Sequence, residues 1–391
     1  MSKGEPGNDA NPGAPSPEAR GPRRVLLSGG SGFIGSHLAE HLLARGDFVT
    51  VVDNLATGRR SNLPQAHERL RFLEADLADA LHAFGKGETF DEIYHLAAAV
   101  GVRLVVEKPI EAIETNVGLT SALLRFAVRA APGGLPAPTL IASSSEVYGK
   151  PSRAVFSEED DVVYGPTSVT RWSYACSKAI DEYLALAHAR HSALPVVVVR
   201  FFNTVGPRQV GDYGMVLPRF VRAALLGEDL LVHGDGEQTR CFCDVRDVAP
   251  ALPRFLSQTR CHGRVFNLGS DEIISIASLA AFVVRTLDSR SKVRTIPYSA
   301  AFAGAAGDRA ASHEATDGQA GERAVGFEDL RHRKPDLRRV REAIGFQPII
   351  GLEQTIRDLA AEIACELGFS GGSPTPPATP NVPATLGSSR G

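Results

Sequence analysis

Ser28-Gly29-Gly30-Ser31-Gly32-Phe33-Ile34-Gly35 directly follows the apolar run Arg24 to Leu27 and opens a stretch with Leu38, Leu42 and Leu43 on helical spacing. A strand, a glycine turn and a helix in that order form the unit that cradles a dinucleotide. Gly29 allows the tight turn, Gly32 lets the backbone approach a pyrophosphate, and Gly35 lets helix and strand pack closely. The anion then rests on the helix N-terminus, at Phe33 and Ile34. Eighteen residues beyond Gly35, at the end of the second strand, stand Asp53 and Asn54. A carboxylate there accepts both adenosine ribose hydroxyls and repels a 2′-phosphate, which predicts NAD rather than NADP. Asp76 and Leu77, after the third strand, are placed to close the adenine pocket.

Outward from that turn, β-branched runs at Phe48 to Val52, Glu92 to Leu96, Thr139 to Ser143 and Val196 to Arg200 alternate with amphipathic stretches. Strands alternating with helices predict an α/β fold, a Rossmann-type doubly wound parallel sheet. Residues 23–205 are the expected NAD-binding domain, with 241–250 returning to it. Over 206–368 short apolar segments are broken by turns at Gly206-Pro207, Gly211 to Gly214 and Gly234 to Gly236, which predicts a smaller mixed α/β substrate-binding lobe. Residues 300–322 read as a mobile loop, and 1–22 and 369–391, rich in Gly, Pro, Ala and Ser, as disordered tails.

A chain of 391 residues that is 43% apolar can bury a large core, and a net charge of −3 shows none of the basic excess that nucleic-acid binding leaves. No run of 18 apolar residues exists, so no membrane span is expected. The five cysteines form no Cys-x-x-Cys pair and no secretory signal precedes them, which predicts reduced thiols and a cytoplasmic protein. Cys241 and Cys243 share a strand face, but no further His or Cys completes a tetrahedral set, so no metal is expected.

Tyr174 and Lys178, in Trp172-Ser-Tyr-Ala-Cys-Ser-Lys178, lie four apart on an expected helix and share one face. An ammonium beside a phenol, with a positive nicotinamide ring nearby, favours phenolate and makes a base for a substrate hydroxyl. Upstream, Ser143-Ser144-Ser145-Glu146-Val147-Tyr148-Gly149 follows the fourth strand, where serine hydroxyls can hydrogen-bond the reacting oxygen.

These pieces resemble the extended short-chain dehydrogenase/reductase family from about Arg24 to about Leu367. His95-Leu96-Ala97-Ala98, Asn116, Phe202-Asn203, Gly206-Pro207-Arg208 and Gly234-Asp235-Gly236 with Arg240 are similar to its features. The resemblance implies that Leu96, Ala97, Ala98, Asn116, Tyr174 and Lys178 contact NAD. It also implies that Asn203, Arg208 and Arg240 face the diphosphate of a UDP-sugar, and that the protein works as a homodimer. Ser145 stands where sugar-nucleotide 4,6-dehydratases carry an acidic aspartate. Ser144-Ser145-Glu146-Val147-Tyr148-Gly149 is instead similar to UDP-glucuronate decarboxylases.

Thr170 to Tyr174, Gln238 to Phe242 and Phe327 to Pro335 look like the decarboxylase domain of the bacterial aminoarabinose lipid A pathway, which implies that Arg333 is an active-site arginine. Val105 occupies the place of a tyrosine that binds the sugar carboxylate, and Arg103 is the expected cationic replacement. The resemblance thus implies an NAD-dependent UDP-glucuronate decarboxylase that gives UDP-4-keto-pentose, UDP-xylose or both. Ser144, Ser145, Glu146, Tyr174, Lys178 and Arg333 would be its catalytic set. A UDP-sugar 4-epimerase, which shares the oxidation step, is the alternative, followed by a non-catalytic NAD-sensing protein.

Overall fold

The computed structural model describes residues 21–84, 87–98, 108–211, 215–297 and 330–369. The expected loop at 300–322, Arg103, and all but residues 21, 22 and 369 of the expected tails lie outside these.

The first half alternates strand and helix: β1 (Arg24–Ser28), α1 (Phe33–Ala44), β2 (Phe48–Asp53), β3 (Leu70–Glu74), α2 (Leu77–Phe84), β4 (Glu92–His95), α3 (Pro109–Ala127), β5 (Thr139–Ser144), β6 (Val155–Phe156), α4 (Arg171–His191), β7 (Val196–Phe201) and β8 (Thr204–Val205). The second half runs through α5 (Val216–Leu226), β9 (Leu230–His233), β10 (Thr239–Cys241), β11 (Cys243–Asp244), α6 (Val245–Ser257) and β12 (Arg264–Leu268). It continues with β13 (Ile273–Ser275), α7 (Ile276–Thr286), β14 (Val293–Ile296), β15 (Lys334–Pro335), α8 (Arg338–Ile344) and α9 (Leu352–Glu366).

Seven strands form one parallel sheet in the order β12-β7-β5-β4-β1-β2-β3. Its central strands are apolar on consecutive residues because both faces are covered by helices. Alternation along each strand divides the core accordingly. Val25, Leu27, Val197 and Val199 enter the cluster shared with α1 and α6, while Leu26, Val196 and Val198 enter the one shared with α2, α3 and α4. The order reverses direction between β1 and β4, and in such sheets ligands bind in the crevice beyond the strand ends at that point. The glycine turn and Leu96-Ala97-Ala98 flank it.

A third cluster, built on Leu217, Phe220, Leu230, Leu279, Ile356 and Leu359, makes the second lobe from α5, β9, α7 and α9. The chain returns to the first lobe over 245–268, a longer stretch than the 241–250 expected from sequence. Helix α6 packs on α1, and β12 extends the sheet beside β7. Among the described residues no helix is long and apolar enough to cross a membrane.

Candidate active site

The glycine turn is shaped by close approach. Gly29 has φ +73°, and a Cβ there would lie 2.6 Å from the Ala97 nitrogen. A Cβ on Gly35 would lie 2.0 Å from the Gly29 carbonyl oxygen, so any side chain would push α1 off the turn. No side chain caps the start of α1, which leaves first-turn N–H groups facing the crevice for an anion. Asp53 is buried and accepts from the Ser31 N–H at 2.8 Å and the Leu55 N–H at 2.9 Å, so the carboxylate belongs to the same cradle. Asn54 donates to Asp76 at 2.8 Å and joins the second strand to the turn after the third.

This cradle fits NAD. Arg59, which could favour a 2′-phosphate, pairs with Glu366, and Arg60 lies over the Phe72 ring and donates to the Leu63 and Pro64 carbonyls. At the end of β4, His95 is buried and 2.7 Å from the Ser28 hydroxyl. Burial, aided by the nearby Lys178 charge, holds its imidazole down at about 3, so it is neutral at working pH. Asn116 of α3 donates to Ser177, beside Lys178.

Ser144 ends β5, and its Oγ accepts from the Glu146 N–H at 3.2 Å, turning the chain into one turn of 3₁₀ helix. Tyr174, in the first turn of α4, is half-buried and hydrogen-bonded to Ser144. The two segments expected to supply the oxidising hydroxyls therefore meet. The phenol, however, is pushed up rather than down: burial comes first, then the Glu146 carboxylate, and the Ser144 bond opposes them only in part. Lys178 is not among the groups that shift the phenol; its ammonium lies 2.8 Å from the Asp181 carboxylate, with both side chains buried. Below this pair, Glu182 accepts from Arg200 at 2.9 and 2.6 Å and from Ser143 at 2.5 Å, tying α4 to the ends of β5 and β7.

Glu146 is clasped by two buried arginines, Arg333 at 2.5 Å and Arg171 at 3.2 Å. Burial raises its carboxyl, but Arg333 and then Arg171 outweigh that and hold it down at about 2. Arg240 adds a more distant positive charge while donating to the Thr239 and Leu330 carbonyls, and Ser145 is buried beside Glu146. Arg171 was absent from the expected site. Its signal was position: three residues before Tyr174 on one helix, it shares that residue's face.

The two remaining expected substrate contacts stand differently. Asn203, at φ +35°, donates to the Cys241 carbonyl at 2.9 Å at the junction of the lobes. Arg208 is outside the Glu146 group: its guanidinium pairs with Glu40 of α1 and its N–H donates to Glu362 of α9.

The family model described as the NAD dependent epimerase/dehydratase family matches residues 25–269. A UDP-N-acetyl-alpha-D-glucosaminuronate decarboxylase of Bacillus cytotoxicus is 38% identical over 86% of this chain and 96% of its own length. UDP-glucuronic acid decarboxylase 1 of Xenopus tropicalis is 32% identical over 85% of this chain and 70% of its own. Among solved structures, a dTDP-glucose 4,6-dehydratase of Streptomyces venezuelae with NAD and TYD bound superimposes with a TM-score of 0.72 at 27% identity, covering 88% of this chain and 98% of that one. The parallel sheet, the glycine cradle and these likenesses agree: the chain belongs to the NAD dependent epimerase/dehydratase family, the extended short-chain dehydrogenase/reductases.

Proposed function

We propose that this protein is an NAD-dependent UDP-glucuronate decarboxylase. The observation that carries the reading is the guanidinium cluster beside the tyrosine: Arg171 and Arg333 close on Glu146, and Arg240 lies near enough to hold that carboxyl down as well. Planar guanidiniums at that place suit a substrate bearing its own carboxylate next to the carbon being oxidised. NAD, when bound in the glycine cradle, supplies the hydride acceptor and donor for sugar carbon 4.

Tyr174 takes the proton of the carbon-4 hydroxyl while Ser144 holds its oxygen. In the resulting 4-ketone the carboxylate is β to the carbonyl. The bond between carbons 5 and 6 breaks, carbon dioxide leaves, and the electron pair moves to the carbon-4 oxygen as an enolate. The Ser144 and Tyr174 hydroxyls stabilise that enolate. Glu146 and Arg333 guide protonation at carbon 5. Because Glu146 stays ionised, it orients the proton donor rather than supplying the proton itself. Asn203 and Arg240 face the UDP, and Arg103, outside the described residues, is a further candidate for the sugar carboxylate. Release at the ketone stage gives UDP-4-keto-pentose; completed reduction gives UDP-xylose.

A second substrate, UDP-N-acetylglucosaminuronate, is favoured by the higher identity of the Bacillus cytotoxicus relative, 38% against 32% for the Xenopus tropicalis one. Both substrates share the reaction. The exposed Ile110 and Ile113 of α3 and Ile180 and Tyr183 of α4, on two helices packed together, support a homodimer formed through this face. Unpaired thiols at Cys241, Cys243 and Cys261 support a cytoplasmic setting.

The test is to incubate the purified protein and NAD with each UDP-hexuronate in turn and follow the sugar nucleotide by mass. Loss of one carbon dioxide is expected. An unchanged mass with a new epimer would make the protein a 4-epimerase.

A further inference from the structure

Lys178 and Asp181 form an ion pair within one turn of α4, Nζ to Oδ2 2.8 Å, with side chains only 3% and 0% exposed. Water can therefore neither screen the pair nor replace either member. Tyr174 lies four residues before Lys178 on the same helix, so as the base for the sugar hydroxyl it would draw on that same ammonium. Among the described residues, the groups facing the pair supply no rival anion for the lysine. Thr120 and Asn116 come from α3 and the neutral His95 from β4; Ser144 and Glu146, at the end of β5, face Tyr174; and Glu182 is occupied by Arg200 of β7.

We propose that Asp181 is a positioning residue for the reaction: it holds Lys178 as a neutralised pair at rest, so Tyr174 becomes a base only when the cofactor cleft is filled and the ammonium is drawn from Asp181. The effect runs through Lys178, since Asp181 itself is sealed from the crevice. The Asp181 charge also pushes the Tyr174 phenol up, behind burial and Glu146. The inference rests on Tyr174 as the base for sugar carbon 4, a step common to decarboxylation and epimerisation.

The experiment compares Asp181→Asn with wild type in the full chain. The amide keeps an acceptor for the ammonium but removes the charge. Two quantities are read: the pH dependence of kcat, and the NAD dissociation constant from the fluorescence of Trp172, the chain's single tryptophan. The acid limb, where rate rises as Tyr174 loses its proton, is expected to move to lower pH by about one unit, and NAD to bind several-fold tighter. A limb that stays at the wild-type pH or moves upward overturns the proposal. Should Asp181→Asn not fold, the smaller Asp181→Ser is read by the same two measurements. Wild-type turnover that survives Tyr174→Phe sinks the assignment of the base. Turnover that needs Tyr174 while the Asp181→Asn profile coincides with wild type sinks the role of Asp181 alone.

Discussion

Two arginine–carboxylate groups, one at Glu146 and one at Glu182, flank the candidate site and behave differently. Glu182 and Arg200 are a balanced, two-pronged pair, both side chains 7% exposed, closed off between α4, β5 and β7. Glu146 meets two guanidiniums with a third nearby, and its side chain is 20% exposed at the crevice. A balanced buried pair has no charge left for a ligand, so its role is to hold the helix on the sheet. A cluster of guanidiniums at an opening sets a positive local field that an anionic substrate can meet.

Perturbations can break that contrast. Tyr174→Phe, which leaves both carboxylates and their arginines in place, should lower turnover by about a thousandfold, roughly 4 kcal/mol of barrier, while NAD affinity stays unchanged; rapid-quench turnover and fluorescence titration check the two halves. Glu182→Gln should cost about 3 kcal/mol of stability in urea unfolding, because it strands Arg200 in the core. Arg171→Met should raise KM for UDP-glucuronate about tenfold, ~1.4 kcal/mol, and leave inhibition by a neutral UDP-sugar unaffected. Equal losses for both ligands would show Arg171 to be structural like Arg200.

The smallest effect is on acid stability. Glu146 is held at about 2 in the folded protein against an ordinary 4.5, so it favours the folded state fully above pH 4.5. As pH falls from 4.5 toward 2 the unfolded chain takes up the proton first and that contribution is lost. Urea midpoints should therefore fall across this window in wild type and fall less in Glu146→Gln.

How much was legible depended on where each feature's parts lie along the chain. The glycine cradle is compressed into eight residues plus Asp53, and its constraints are local, so sequence alone predicted its shape. Tyr174 and Lys178 share one helix face and were equally plain. The Glu146–Arg333 contact joins residues 187 apart, and spacing says nothing about such a pair; only the family resemblance pointed to Arg333. Asp181 and Glu182 look like solvated charges in a helix that also carries Lys, Arg and His. Yet Tyr174, Lys178, Asp181 and Glu182 fall on one helical stripe, a pattern that could have marked them as buried. Strand β12 was not among the five runs read as strands, and its Asn267 explains why: a central polar residue hides the apolar pattern until Tyr148 and the Phe156 carbonyl are seen to satisfy it. Arg208, which only the family resemblance sets against the diphosphate, pairs with Glu40 through its guanidinium and with Glu362 through its N–H, contacts that spacing does not reveal.

The most direct measurement is release of labelled carbon dioxide from UDP-glucuronate carrying its label at carbon 6, in the presence of NAD. The account predicts label released in step with substrate consumed, and lost in Tyr174→Phe. Substrate consumed with all label retained in the nucleotide sugar would contradict it.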